Sequence, residues 1–199
     1  TQALPFAIAL RSLQREVIRK DPLWSNGFYS YEKPPLNGVR IARKIGMTSY
    51  RSANEWVQRF GRKKSVANKI NQNTFGIENT SFEFEIESYL EHQAVKFQNI
   101  FDANCYLYLS RAMDWFDVAN LGKSSLDAFS KINVNKALIL GVDTDVLFPS
   151  QQQKEIAENL SLSNVKVEYK ELNCIQGHDS FLVDTGSFAK EINTFIKNL

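Results

Sequence analysis

Two short stretches hold the residues of this chain best suited to move a proton, Asp143-Thr-Asp145-Val-Leu-Phe-Pro149 and Gln176-Gly-His178-Asp-Ser-Phe-Leu182. Each comes directly or shortly after a run with the character of a strand, and in a parallel sheet the carboxyl ends of neighbouring strands share one edge. Asp145 and His178 are then expected to meet there. A carboxylate bonded to one imidazole nitrogen fixes the tautomer and leaves the other nitrogen free to take a proton from a hydroxyl and return it. That chemistry suits nucleophilic acyl transfer. Gly177, immediately before the histidine, permits a close backbone approach. The third member of such a set is a serine on a G-x-S-x-G strand-to-helix elbow, ahead of the acid and the base in chain order. No such elbow occurs in this sequence. Ser49, Ser52, Ser124 and Ser125 sit in helical or capping contexts, and neither Cys105 nor Cys174 falls on a strand-to-helix turn. The nucleophile is therefore expected before Thr1.

The elements that must position this pair lie mainly after residue 131. Lys136-Ala-Leu-Ile-Leu-Gly-Val142 is a continuous apolar run, the pattern of a strand buried on both faces of a parallel sheet. A helix over 150–160, an alternating strand over 165–169 and a closing helix over 188–196 complete a βαβ unit with a right-handed crossover. Residues 1–130 read differently. Phe6, Leu10, Leu13 and Val17 recur at helical spacing until Asp21-Pro22 stops them, and a second helix is expected over 39–50. Ser52 to Glu55 has the form of a capping box opening a third, with Trp56, Val57 and Phe60 as its buried stripe and Gly61 as its end. Residues 62–81 read as a loop. A long amphipathic helix is expected over 84–101, and Asp102 caps another that runs through Met113. Two strands make a marginal sheet, so further strands are expected upstream.

Composition narrows the function. Among 199 residues, 43% are hydrophobic and 23% charged, the balance of an ordinary globular chain. Lys and Arg total 24 against 22 for Asp and Glu, a net charge of +2, too even for a protein that neutralises nucleic-acid phosphates or coats an anionic membrane. No apolar run approaches the ~20 residues that span a bilayer. The first residues, Thr1-Gln-Ala-Leu-Pro5, read as neither a signal peptide nor a natural start. Two widely separated cysteines argue against a disulfide framework or a zinc site, and a cytoplasmic location is expected.

Five stretches in order along the chain carry a resemblance. They are Gly38-Val-Arg-Ile-Ala-Arg-Lys-Ile-Gly-Met-Thr-Ser-Tyr-Arg-Ser52, Phe84-Glu-Ile-Glu-Ser-Tyr-Leu90, Phe101-Asp-Ala-Asn-Cys-Tyr-Leu-Tyr-Leu109 and the two loops above. Together they resemble the homoserine O-acetyltransferase family. The resemblance implies an α/β-hydrolase fold: a helical lid insertion over 1–130, and over 131–199 the C-terminal part of the parallel sheet, carrying the triad acid and base. It implies Asp145 as the acid, with Asp143 as its rival, and His178 as the base. It implies Arg43 for the substrate carboxylate, with Arg51 as a nearby alternative, Asp179 for the substrate amine and Tyr50 in the pocket. By the same resemblance, acetyl passes from acetyl-CoA, a co-substrate rather than a resident cofactor, to the hydroxyl of homoserine for methionine synthesis, and the chain pairs as a homodimer through the lid helices. Serine as acceptor, succinyl-CoA as donor, an esterase, and a non-catalytic part in dimerisation stay open at this point. His92 is expected on the surface. Arg59, Arg62, Lys63, Lys64 and Lys69 are expected to form a solvated basic edge, with contact to coenzyme A phosphates as the functional alternative.

Overall fold

The structure, a computed structural model, describes residues 1–65 and 82–199. Most of the loop expected over 62–81, with Lys69, therefore lies outside the described residues. Among the described residues five α-helices come first: α1 (Pro5–Lys20), α2 (Leu36–Met47), α3 (Ala53–Arg59), α4 (Glu85–Gln98) and α5 (Ala103–Trp115). A short α6 (Ser125–Phe129) leads into β1 (Lys136–Val142), α7 (Ser150–Leu162), β2 (Lys166–Leu172), α8 (Ser180–Val183) and α9 (Thr185–Lys197).

Local chemistry sets most boundaries. Pro5 opens α1, where a fixed φ suits the first turn and no N–H is missed. Asp21 ends it: its carboxylate accepts the N–H of Leu23 at 3.0 Å and the N–H of Gly38 at 2.8 Å, so the stop signal also ties α1 to α2. The face α1 buries is not the expected one. Phe6 and Leu13 are 55% and 52% exposed, whereas Ala7, Gln14 and Ile18 are buried. The reason is the closeness of α2: a Cβ on Gly38 would lie 2.8 Å from the Ile18 Cα. Backbones that near can meet only along a face of small residues at the crossing, and Val39, Ala42, Ala103 and Leu107 complete the core around Ile18.

Ser52 caps α3 by accepting the Glu55 N–H at 3.1 Å, but only half of the expected box forms. The Glu55 carboxylate turns to Arg51 at 3.0 Å instead. Val57 is exposed, a second departure from the expected stripe, while Trp56, Phe60 and Tyr89 meet in tilted and edge-on contacts as a ring cluster joining α3 to α4. Asp102 opens α5 by accepting the Cys105 N–H, as its position predicts.

β1 and β2 pair in parallel, Lys136 with Lys166 through Val142 with Leu172, and α7 crosses between them. Phe129, Leu160 and Val165 form the core of this layer, with Val118 and Phe129 drawn into it from the region read as helical lid. Among the described residues β1 pairs with β2 alone, and its first five residues are only half-buried, short of the burial on both faces that its apolar run predicts. No helix among the described residues is long and apolar enough to cross a membrane.

Candidate active site

The turn after β1 fixes Asp145 before any partner is considered. One carboxylate oxygen, Oδ1, accepts the backbone N–H groups of Leu147 at 2.8 Å and Phe148 at 2.9 Å. Short side-chain-to-backbone bonds of this kind are why Asp recurs in turns. The other oxygen, Oδ2, is thereby aimed at Nδ1 of His178, 2.9 Å away. An acceptor on Nδ1 places the proton there and leaves Nε2 as the basic nitrogen. Nε2 makes no hydrogen bond to the described residues. Asp143 points elsewhere: its carboxylate accepts the Cys174 N–H at 3.2 Å.

His178 lies in a 3-10 turn after β2, Gly177–Asp179, pressed against the corner between α2 and α3. Gly177 has φ +70°, and a Cβ there would stand 2.8 Å from the Ser52 nitrogen. Only glycine meets both conditions without displacement. Two further bonds pin the turn to that corner: the Asp179 N–H donates to the Tyr50 carbonyl at 3.1 Å, and the Ser52 hydroxyl donates to the Ile175 carbonyl. Phe148 and Tyr50 flank the imidazole, with ring centroids 5.2 and 6.0 Å away.

His178 opens onto a cleft of about 620 Å³ between the helices and the strand ends. Its lining includes Arg43, Tyr50 and Phe97 together with Arg11, Gln14 and Tyr106. The Arg43 guanidinium lies 4.6 Å from the Phe97 ring centroid and 5.2 Å from that of Tyr50, and its buried Nε has no partner among the described residues. Arg11 is the residue that the sequence reading missed. Its Nε meets Asp114 at 2.5 Å, and Arg15 meets the other oxygen of Asp114 at 2.6 Å. Arg11, Gln14 and Arg15, at three- and four-residue spacing on one side of α1, were the available signal. Tyr106 donates to the Gln14 amide oxygen at 2.9 Å, and burial holds its phenol well above the usual range.

Asp179 and Arg43, expected to hold two ends of one substrate, are not brought together on the cleft wall. Asp179 does not line the cleft; it pairs with Arg51 at 3.2 Å, and Arg51 also meets Glu55. One guanidinium shared by two carboxylates leaves this cluster one negative charge in excess. The alternative arginine is thus the one beside Asp179. Neither cysteine has the environment of a nucleophile. Burial, then the nearby Asp184 carboxylate, push the Cys174 thiol up to about 11, and the Asp102 bond raises that of Cys105. His92 is exposed, as are Arg59, Arg62, Lys63 and Lys64.

Comparison with known proteins places the chain. No protein-family model matches it. A serine O-succinyltransferase of Xylella fastidiosa is 48% identical over all 199 residues, and one of Stenotrophomonas maltophilia is 47% identical over the same span. The chain covers 52% of each, so it spans about half the length of these relatives. Among solved structures, homoserine O-acetyltransferase from Bacillus anthracis superposes with a TM-score of 0.82 at 23% identity, over 98% of this chain and 50% of that one. Esterase E22 superposes with 0.80 at 24% identity, over 98% and 51%. The arrangement described above is thus part of an α/β-hydrolase fold.

Proposed function

We propose, from the 47–48% identity to serine O-succinyltransferases and the α/β-hydrolase fold, that this chain supplies the acid and the base of an acyltransferase acting on an amino-acid hydroxyl. The observation that carries the reading is the 2.9 Å contact between Asp145 Oδ2 and His178 Nδ1 at the wall of the cleft. In this reading a serine from residues outside the chain gives its proton to His178 Nε2 and attacks the thioester carbonyl of an acyl-CoA. The departing thiolate takes that proton. The acceptor hydroxyl then attacks the acyl-serine ester, His178 takes its proton, and the released serine recovers it. Asp145 orients the ring and offsets the imidazolium charge in both halves. Two displacements through a covalent intermediate give ping-pong kinetics.

For the acyl group and the acceptor, the names of the relatives favour succinyl and serine over the acetyl and homoserine that the resemblance implied. The cleft offers a physical reason. A succinyl group differs from acetyl by a free carboxylate, which needs a cation, and a guanidinium matches that planar group. Arg11 lines the cleft and is held at Nε by Asp114, which leaves its terminal nitrogens to meet an anion. A homodimer through the helical part belongs to the same proposal, supported by the exposed Tyr108 and Trp115 of α5.

The full-length protein, assayed with succinyl-CoA or acetyl-CoA against serine or homoserine, is expected to prefer succinyl-CoA and serine. Arg11→Met is expected to cut succinyl transfer about 10- to 100-fold, the worth of one or two charge-assisted bonds, and to spare acetyl transfer. Normal turnover by His178→Ala would end the acyl-transfer reading.

A further inference from the structure

Thr144 stands between the two candidate acids and has no part in the chemistry above. Its hydroxyl donates to the Cys174 carbonyl and accepts the Gly177 N–H at 3.2 Å. A hydroxyl can donate and accept at once, which a methyl group of the same size cannot. Next to it, the Asp143 carboxylate accepts the Cys174 N–H at 3.2 Å. The loop after β1 therefore grips the segment 174–177 at both ends. The bonds also run in step, since the contact between Thr144 and Gly177 comes one residue before that between Asp145 and His178 in both loops. On the opposite side, the Tyr50 carbonyl and Ser52 hydroxyl hold the same turn against the α2–α3 corner. Those two fix the turn to the helices. Among the described residues, the side-chain bonds from residues 143 and 144 tie it to the loop that carries the acid, beside the Asp145–His178 pair itself.

We propose that Thr144 is a positioning residue whose hydroxyl sets the register between the acid loop and the base loop, so that Asp145 and His178 meet at bonding distance. Gly177 sits at φ +70°, and its N–H is the donor that the threonine oxygen captures. Loss of the hydroxyl leaves that N–H and the Cys174 carbonyl without their partner, and the turn can then move away from β1 while staying attached to the helices. A displacement of about 1 Å at such a pair costs on the order of 100-fold in rate.

The kinetic arm of this inference rests on the acyl-transfer reading; its spectroscopic arm does not. In the full-length protein, Thr144→Val is expected to lower kcat about 100-fold with KM within about twofold, and Thr144→Ser to restore most of the loss. The nitrogen-bound proton at His178 Nδ1, followed by proton and nitrogen-15 NMR, is expected to exchange rapidly with water in Thr144→Val and to be protected again in Thr144→Ser. Wild-type kcat together with a protected Nδ1 proton in Thr144→Val would overturn the proposal. Should the valine variant fail to fold, Thr144→Ala is compared with Thr144→Ser, and equal Nδ1 protection in the two overturns it as well. If His178→Ala turns over normally, the acyl-transfer reading falls, and the Nδ1 resonance still decides the role of Thr144.

Discussion

Asp145 and Asp143 are the same residue type two positions apart, and only their hydrogen bonds tell them apart. Asp145 spends one oxygen on two backbone donors and the other on the imidazole, while Asp143 serves a backbone N–H of the other loop. Replacing Asp145 by Asn keeps the shape but offers an amide where the carboxylate stood, so the imidazole can be held in the wrong tautomer. Asp145→Asn is expected to lower kcat about 10⁴-fold, the scale seen when a triad acid is so replaced. Asp143→Asn retains an acceptor for the Cys174 N–H and is expected to cost less than about tenfold. Steady-state kinetics on the two variants checks the assignment, and equal losses would count against it.

At the scale of elements, the helical part is held to its own geometry by charge as well as by packing. Glu91 on α4 receives Arg40 at 2.6 Å and also Lys44, both from α2. Burial alone would raise its pKa, but the bonds to Lys44 and Arg40 outweigh it and hold the carboxyl below its ordinary value. A depressed carboxyl pKa stabilises the fold above the unfolded value, about 4.3, and that contribution fades as pH falls through the lower folded value. Glu91→Gln is therefore expected to melt below wild type near neutral pH, with the gap closing in acid below about pH 4. Thermal denaturation across that range tests it, and a gap independent of pH would assign the contact to packing instead. The helices themselves were legible from spacing and caps, because Asp21, Ser52 and Asp102 act within a few residues of their own positions. The buried face of α1 was not legible, because it depends on how near α2 approaches at Gly38.

For the whole molecule, the chain spans about half the length of its curated relatives, and the strand pair carries apolar surface that two strands alone cannot cover. Ile132, Val134 and Val146 near β1, together with Phe181, Leu182 and Ile192, are exposed in this chain. Expressed alone, the chain is expected to bind the dye ANS strongly and to show no acyl transfer. The full-length protein is expected to bind little dye and to be active. Fluorescence titration and the acyl-transfer assay, run side by side, check this; weak dye binding by the isolated chain would mean that the two strands are covered in some other way.

Short-range chemistry is what the sequence by itself determined: helix caps, the strand that precedes Asp145, the glycine that precedes His178, and the chain order of acid before base. These depend on neighbours within a turn or two, and a one-dimensional pattern records them. Tertiary structure alone decided which charges share a site. It set Arg51 rather than Arg43 beside Asp179, brought Arg11 from α1 to the cleft wall, and joined Thr144 to Gly177 across two loops. Such pairings arise from how closely helices and strand ends approach, and that spacing is fixed by the summed packing of residues far apart in the chain.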